Sequence, residues 1–208
     1  MTFDSHPRLP ESWILERDGA YCGGSRRKRV GMTRQQLEHI IRAAATIADD
    51  DEIIVVGSQS ILGQFPDAPE ELCRSMEADV WPRNHPDRWE LVDGSIGELS
   101  PFHETFGYYA QGVGEETAVL PEGWQERLVK VDSPMTRGAV GLCLEIHDLV
   151  ISKYVAAREK DMEFIRITID HRMIQRPVLL HRLERTSISS SRRHRISGFI
   201  TRDFGTGS

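Results

Sequence analysis

The chain has 208 residues, of which 39% are hydrophobic and 28% charged, with a formal net charge of −6. That length can bury one sizeable core, or a core with an appended helical unit, and the composition excludes a fully disordered chain. No run approaches the roughly 18 apolar residues of a membrane span, and the opening MTFDSHPRLPESW lacks the apolar stretch of a secretory leader, so a cytoplasmic protein with no membrane partner is expected.

Residues 1–31 carry Pro7, Pro10, Gly19, Gly23, Gly24 and the basic run Arg26-Arg27-Lys28-Arg29, and read as a loosely ordered arm ending at Gly31. Thr33-Arg34-Gln35-Gln36 is a capping box, with Leu37, Ile40, Ile41, Ala44 and Ile47 at helical spacing behind it; the acidic run Asp49 to Glu52 ends that helix. Ile53-Ile54-Val55-Val56 is a β-branched run of the kind found in strands buried on both faces. Gly57-Ser58-Gln59-Ser60 breaks it, and Ile61-Leu62-Gly63 suggests a short helix. A second strand is expected from Met76 to Trp81, bounded by Pro82. Further strand-like material lies at Phe106 to Ala110, Thr117 to Leu120 and Leu128 to Val131, with turns at Gly112, Gly114 and Gly123.

From Leu144 the apolar period changes to 3.6. Ile146, Leu149, Val150 and Tyr154 form one stripe, Met162, Ile165 and Ile169 another, and Val178 to Leu183 a third; Ser189 caps a last helix with Ile196, Phe199 and Ile200 on its apolar side. The expectation is an α+β fold: an arm (1–31), a mixed-sheet core with an N-terminal helix (32–143), and a C-terminal helical subdomain (144–204).

Charge is uneven. Residues 171–208 hold eight arginines and two acids, a net +6, which leaves −12 on the rest. The tail suits a polyanion, or is a solvated basic helix balancing an acidic body. Cys22, Cys73 and Cys143 are too widely spaced for a zinc motif and odd in number, as expected of ordinary thiols in a reducing compartment. Trp81, Trp89, Phe102, Phe106, Tyr108, Tyr109 and Trp124 are read mostly as packing residues. His147 beside Asp148 is not a catalytic dyad, because helix neighbours face different directions; a histidine at the core edge is expected.

Glu77 and Asp79 stand two apart on a predicted strand, so the pleat points both to one face. Two acids so placed repel unless a cation lies between them, and magnesium favours one or two carboxylates completed by water and phosphate. An acidic, solvated edge strand gives the same pattern. Gly57-Ser58 directly follows the buried strand, where backbone N–H groups and a hydroxyl can hold phosphate oxygens; an ordinary helix start reads the same way.

A strand ending in Gly-Ser, followed about twenty residues later by an acid-x-acid strand, resembles the minimal nucleotidyltransferases of the polymerase-β superfamily. The stretch from Glu145 through Asp148-Leu149 and Lys153 to Arg158-Glu159-Lys160-Asp161 is similar to the Asp-Leu…Lys…Arg-x-Lys-Asp block of bacterial type-IV abortive-infection and toxin nucleotidyltransferases. Ser75 to Asp79 and Leu120 to Trp124 further resemble the Ser-Met-Glu-Ala-Asp and Leu-Pro-x-Gly-Trp of a nucleotidyltransferase-like family (DUF6036-like), with the likeness running from about Thr33 to Phe204.

The resemblance implies a nucleotidyltransferase-like sheet that moves a nucleoside monophosphate from a nucleoside triphosphate to a hydroxyl of RNA, tRNA included, or of protein. It also implies a toxin of a toxin–antitoxin pair with a small antitoxin partner. Glu77 and Asp79 would hold Mg2+, Gly57 and Ser58 the nucleotide phosphates, and Lys153 a phosphate; Asp161 would position or activate the acceptor. Lys153 and Asp161 differ by about 80° around one straight helix at ~100° per residue, and share a cleft most readily if Arg158-Glu159-Lys160 breaks it. The bland reading makes Asp161 a helix-start carboxylate and Lys153 and Lys160 solvated charges. The chain departs from the superfamily pattern in two ways: the first acid is Glu, and no third acid stands out, since Glu98, Glu104, Glu115 and Glu116 sit near predicted loops. A catalytically inactive nucleotide-binding or regulatory module is the alternative.

Overall fold

The structure is a computed structural model that describes residues 31–205. The basic run at Arg26 to Arg29, Cys22 and the rest of the arm up to residue 30 lie outside the described residues. Helix α1 spans Arg34–Ala48 and opens on the expected capping box, in which Thr33 Oγ1 accepts from Gln36 N–H while the Gln36 side chain accepts from Thr33 N–H. Two donors that every helix start leaves orphaned are thereby satisfied. Leu37, Ile40, Ile41 and Ala44 form its fully buried face. The helix stops at Asp49, which takes the left-handed conformation at φ 48.

Strand β1 (Glu52–Val56) follows, then a 3-10 turn at Ser58–Ser60 and helix α2 (Ile61–Gln64). Strand β2 is Glu77–Pro82. Helices α3 (Trp89–Ile96) and α4 (Pro101–Phe106) precede β3 (Tyr109–Gly112), and β4 (Val129–Val131) and β5 (Val140–Cys143) complete the sheet. The five strands run in the order β3-β2-β1-β5-β4. β1 is antiparallel to β2 and parallel to β5, β2 is parallel to β3, and β4 is antiparallel to β5, so the sheet is mixed. The chain closes with α5 (Ile146–Ala156), α6 (Glu159–Asp170), α7 (Arg176–Glu184) and α8 (Ser190–Asp203), the last capped by Ser189 as expected.

The central position of β1 explains its uninterrupted apolar run: Ile53 to Val56 are all buried between covered faces. Two expected strands need correction, and one strand was not expected. Phe106 to Ala110 is not one strand, because Ser100 caps a helix with Pro101 at its first position, Gly107 closes it in the left-handed region, and β3 starts only at Tyr109. Thr117 to Leu120 is not a strand either; a 3-10 turn at Glu115–Thr117 leads into irregular chain beside the cavity described below. Strand β5 escapes the hydrophobic pattern because Gly141 interrupts it. A Cβ on Gly141 would meet the end of the Ile41 side chain of α1 and crowd Val131, so the glycine leaves room where α1 packs on the sheet.

Several of the tail's eight arginines are engaged by the fold. Arg192 donates to Val155 O at the C-terminal end of α5 (2.7 Å), and Arg193 donates to Leu183 O and Thr186 O at the end of α7. Arg182 pairs at 3.4 Å with the fully buried Asp148, which also accepts two hydrogen bonds from Arg127 at 2.8 and 3.1 Å. That knot ties the β3–β4 connection to α5 and α7. His147 sits at the core edge, with Nδ1 on Glu145 (2.6 Å) and Nε2 accepting from Gln175 N–H. Cys73 and Cys143 are both buried, and burial pushes the Cys143 thiol up to about 12. Among the described residues no helix is long and apolar enough to cross a membrane.

Candidate functional site

The registers of the sheet set the site. Val56, the last residue of β1, pairs with Asp79 of β2, so the chain leaving β1 turns directly over the Asp79 carboxylate. Gly57 makes that turn at φ 64, and a Cβ there would run into Asp79 Oδ2. Only glycine combines this conformation with so close an approach. Glu77 lies two residues back on the same face of β2, and Tyr109, its register partner on β3, donates from its hydroxyl to Glu77 Oε2 at 3.0 Å.

The opposite wall comes from the helices. Helix α5 ends at Ala157, in the left-handed region at φ 54, and Arg158 is extended before α6 begins. This break folds Asp161, in the first turn of α6, back onto Lys153, in the last turn of α5. Lys153 Nζ donates to Asp161 Oδ1 and to Ser58 Oγ, each at 2.9 Å, and Arg158 Nε donates to Asp161 Oδ2 at 2.8 Å. Lys153 is only 6% exposed and also lies over the Phe164 ring, 4.4 Å from its centre. It is therefore not the solvated surface charge of the bland reading, whereas Lys160 is exposed.

All six residues that the sequence singles out line one cavity of about 450 Å³: Gly57, Ser58, Glu77, Asp79, Lys153 and Asp161. Arg158, Lys160 and Arg192 line it too. The result is two walls of opposite sign, an acid pair on the sheet and a cationic group on the helices.

The electrostatics of the walls differ. Burial, and after it the charge and hydrogen bond of Glu77, push the Asp79 carboxyl up to about 7, although Lys153 and Lys160 draw it back. Asp79 therefore resists losing its proton until close to neutrality. Burial also acts to raise Asp161, but the hydrogen bonds from Arg158 and Lys153 outweigh it and keep that carboxyl below its ordinary range. Burial lowers Lys153 in spite of Asp161.

A divalent cation fits the acid wall by donor chemistry. Two carboxylates converge where burial and mutual repulsion disfavour double ionisation, their donors are hard oxygens with no thiolate or imidazole among them, and a positive ion would take the place of the Asp79 proton. Among the described residues no group of three or more His, Cys, Asp or Glu side chains is arranged to hold a metal. The remaining ligands of an ion at Glu77 and Asp79 would therefore be water and phosphate oxygens.

None of the seven aromatic residues read as packing lines the cavity, and Trp81, Phe102 and Tyr108 are buried in the core; Trp81 meets Trp124 edge-on. Tyr109 goes beyond that reading through its contact with Glu77, which no spacing within one strand reveals. Arg192 was legible only as part of a basic tail, and its place in the cavity depends on how α8 packs on α5.

A family described as "Nucleotidyltransferase of unknown function (DUF6036)" matches residues 35–201. No curated protein and no solved structure matches the chain.

Proposed function

Since the chain belongs to this family of nucleotidyltransferases of unknown function, we propose that its cavity binds a nucleoside triphosphate with Mg2+ and transfers the nucleoside monophosphate to a hydroxyl of RNA or protein. The observation that carries the reading is the pairing of opposite walls across one cavity: Glu77 and Asp79 on one side, Lys153, Arg158 and Lys160 on the other. A volume of about 450 Å³ is within the range of small-molecule sites.

Glu77 and Asp79 would hold the magnesium ion, which when bound neutralises phosphate charge and aligns the attacking and leaving oxygens. The Gly57 turn and Ser58 offer backbone N–H groups and a hydroxyl to phosphate oxygens. Lys153 supplies a desolvated point charge, while the exposed Arg158 and Lys160 meet the outer phosphates. Each Asp161 oxygen accepts one hydrogen bond, from Lys153 and from Arg158, and keeps a further lone pair. Asp161 orients these two cations and can still help to position the acceptor. In the reaction a bond would form from the acceptor oxygen to the α-phosphorus as the bond to pyrophosphate breaks, and the hydroxyl proton would pass to solvent.

A second reading, a nucleotide-binding module without catalysis, is favoured by the lack of a third carboxylate beside the pair among the described residues. One experiment separates the two. Purified protein is incubated with each α-labelled nucleoside triphosphate, Mg2+ and total RNA or protein. Label moving to a polymer, with at least a 100-fold loss in Asp79→Ala, is the expected result; triphosphate binding without transfer selects the module, and transfer undiminished in Asp79→Ala removes the metal-site assignment.

A further inference from the structure

The first acid of the pair is a glutamate, one methylene longer and one rotatable bond looser than an aspartate. A longer acid holds a cation well only if something fixes its carboxylate. We propose that Tyr109 is a positioning residue for metal binding, its hydroxyl holding Glu77 Oε2 so that the rest of that carboxylate faces Asp79 and the cation. This inference rests on the proposed metal role of Glu77 and Asp79.

The geometry supplies a chain of constraints. Parallel pairing of β2 with β3 sets Tyr109 directly beside Glu77, and the hydroxyl donates across 3.0 Å. The Tyr109 ring is backed by the His103 ring, 4.6 Å between centres, and His103 Nδ1 accepts from Leu99 N–H at 3.1 Å. Helix α4 thereby holds the ring that holds the acid. One hydrogen bond engages one lone pair of four on the carboxylate, so the contact orients Glu77 without consuming it as a ligand. Partners of this kind around metal ligands typically change affinity 10–100-fold.

The test uses Mn2+ alone, added to the full-length protein, with free ion measured by electron paramagnetic resonance. Tyr109→Phe should weaken Mn2+ binding roughly 10-fold while leaving the thermal midpoint of the metal-free protein nearly unchanged, which a merely structural tyrosine would not do. Glu77→Asp withdraws the carboxylate from the hydroxyl's reach, so adding Tyr109→Phe to it should bring no further loss. A Tyr109→Phe affinity within about twofold of wild type overturns the proposal, as does a full additional loss in the double variant. If Asp79→Asn abolishes binding while Tyr109→Phe does not affect it, only the positioning role falls. If wild type binds no Mn2+, or Asp79→Asn and Glu77→Gln bind as wild type does, the metal reading itself falls and this inference with it.

Discussion

Asp148 and Asp79 are both carboxylates withdrawn from water, and burial pushes both above the ordinary carboxylate range, but the fold partners them differently. Asp148 is fully buried but neutralised from within: Arg127 grips both its oxygens and Arg182 stands at 3.4 Å. Asp79 faces another acid, Glu77, and its nearest cations belong to the far wall of a cavity, with Lys153 already engaged by Asp161 and Ser58. A carboxylate satisfied by the protein's own arginines fastens elements together. One that stands beside a second acid, across a cavity from the nearest cations, is where the proposed metal ion would bind. The same sequence block, Glu145 to Asp161, supplies the stabilising acid at one end and the cationic wall of the cavity at the other.

The contrast is broken most easily at Asp148. Replacing it with Ala leaves two largely buried guanidinium groups, of 18% and 17% side-chain exposure, without their shared counter-ion. Removal of one partner from a buried ion pair costs about 3–5 kcal/mol, and urea unfolding of Asp148→Ala should show a loss of that size. Mg2+ with a triphosphate should leave that difference between variant and wild type unchanged. A loss below about 1 kcal/mol would put Asp148 in the class of exposed ion pairs and remove one side of the comparison.

Asp79 should respond to ligand instead. Wild-type protein with Mg2+ and a nucleoside triphosphate at 100 times its Kd is stabilised by about 2.7 kcal/mol, read as a rise in the thermal midpoint. Asp79→Ala should fold normally and show no such rise with Mg2+ alone. Equal stabilisation of wild type and variant by Mg2+ would place the ion elsewhere.

How legible these two regions were in the sequence follows from the distances over which they are built. The Gly57-Ser58 turn and the Glu77/Asp79 face depend on one strand's period of two and one strand end, and both are local patterns. The capping box at Thr33 and the cap at Ser189 are equally local. Strand β5 was hidden because Gly141 answers to Ile41, a hundred residues earlier in the chain. Helix α3 buries only Val92 and Ile96 and carries Gly94 between them, too little for a helical stripe to show. The Tyr109 contact and the Arg127–Asp148–Arg182 knot are set by strand register and helix packing, which single-chain spacing does not encode. The Lys153–Asp161 pair falls between these cases: eight residues apart is the wrong phase for one helix, and only the left-handed Ala157 makes it a contact.

The smallest effect is the most diagnostic, because it tests the acid pair with no ligand at all. In the native protein Asp79 keeps its proton up to about pH 7, whereas in the unfolded chain it loses it near the ordinary value of 3.8. Between these values the native state binds more protons than the unfolded state, so stability must fall as pH rises. The contribution is fully present below pH 3.8 and gone above about 7. Allowing for solvent screening of a carboxyl that is not fully buried, it amounts to about 1–2 kcal/mol. Asp79→Asn cannot ionise and keeps a hydrogen-bonding amide beside Glu77, so in chelator-treated protein its stability relative to wild type should rise from pH 5 to pH 8. Saturating Mg2+ should erase that difference at pH 8 by stabilising the wild type. A gap that stays constant from pH 5 to 8 would mean that Glu77 and Asp79 ionise independently, and Asp79 would then need an external cation no more than Asp148 does.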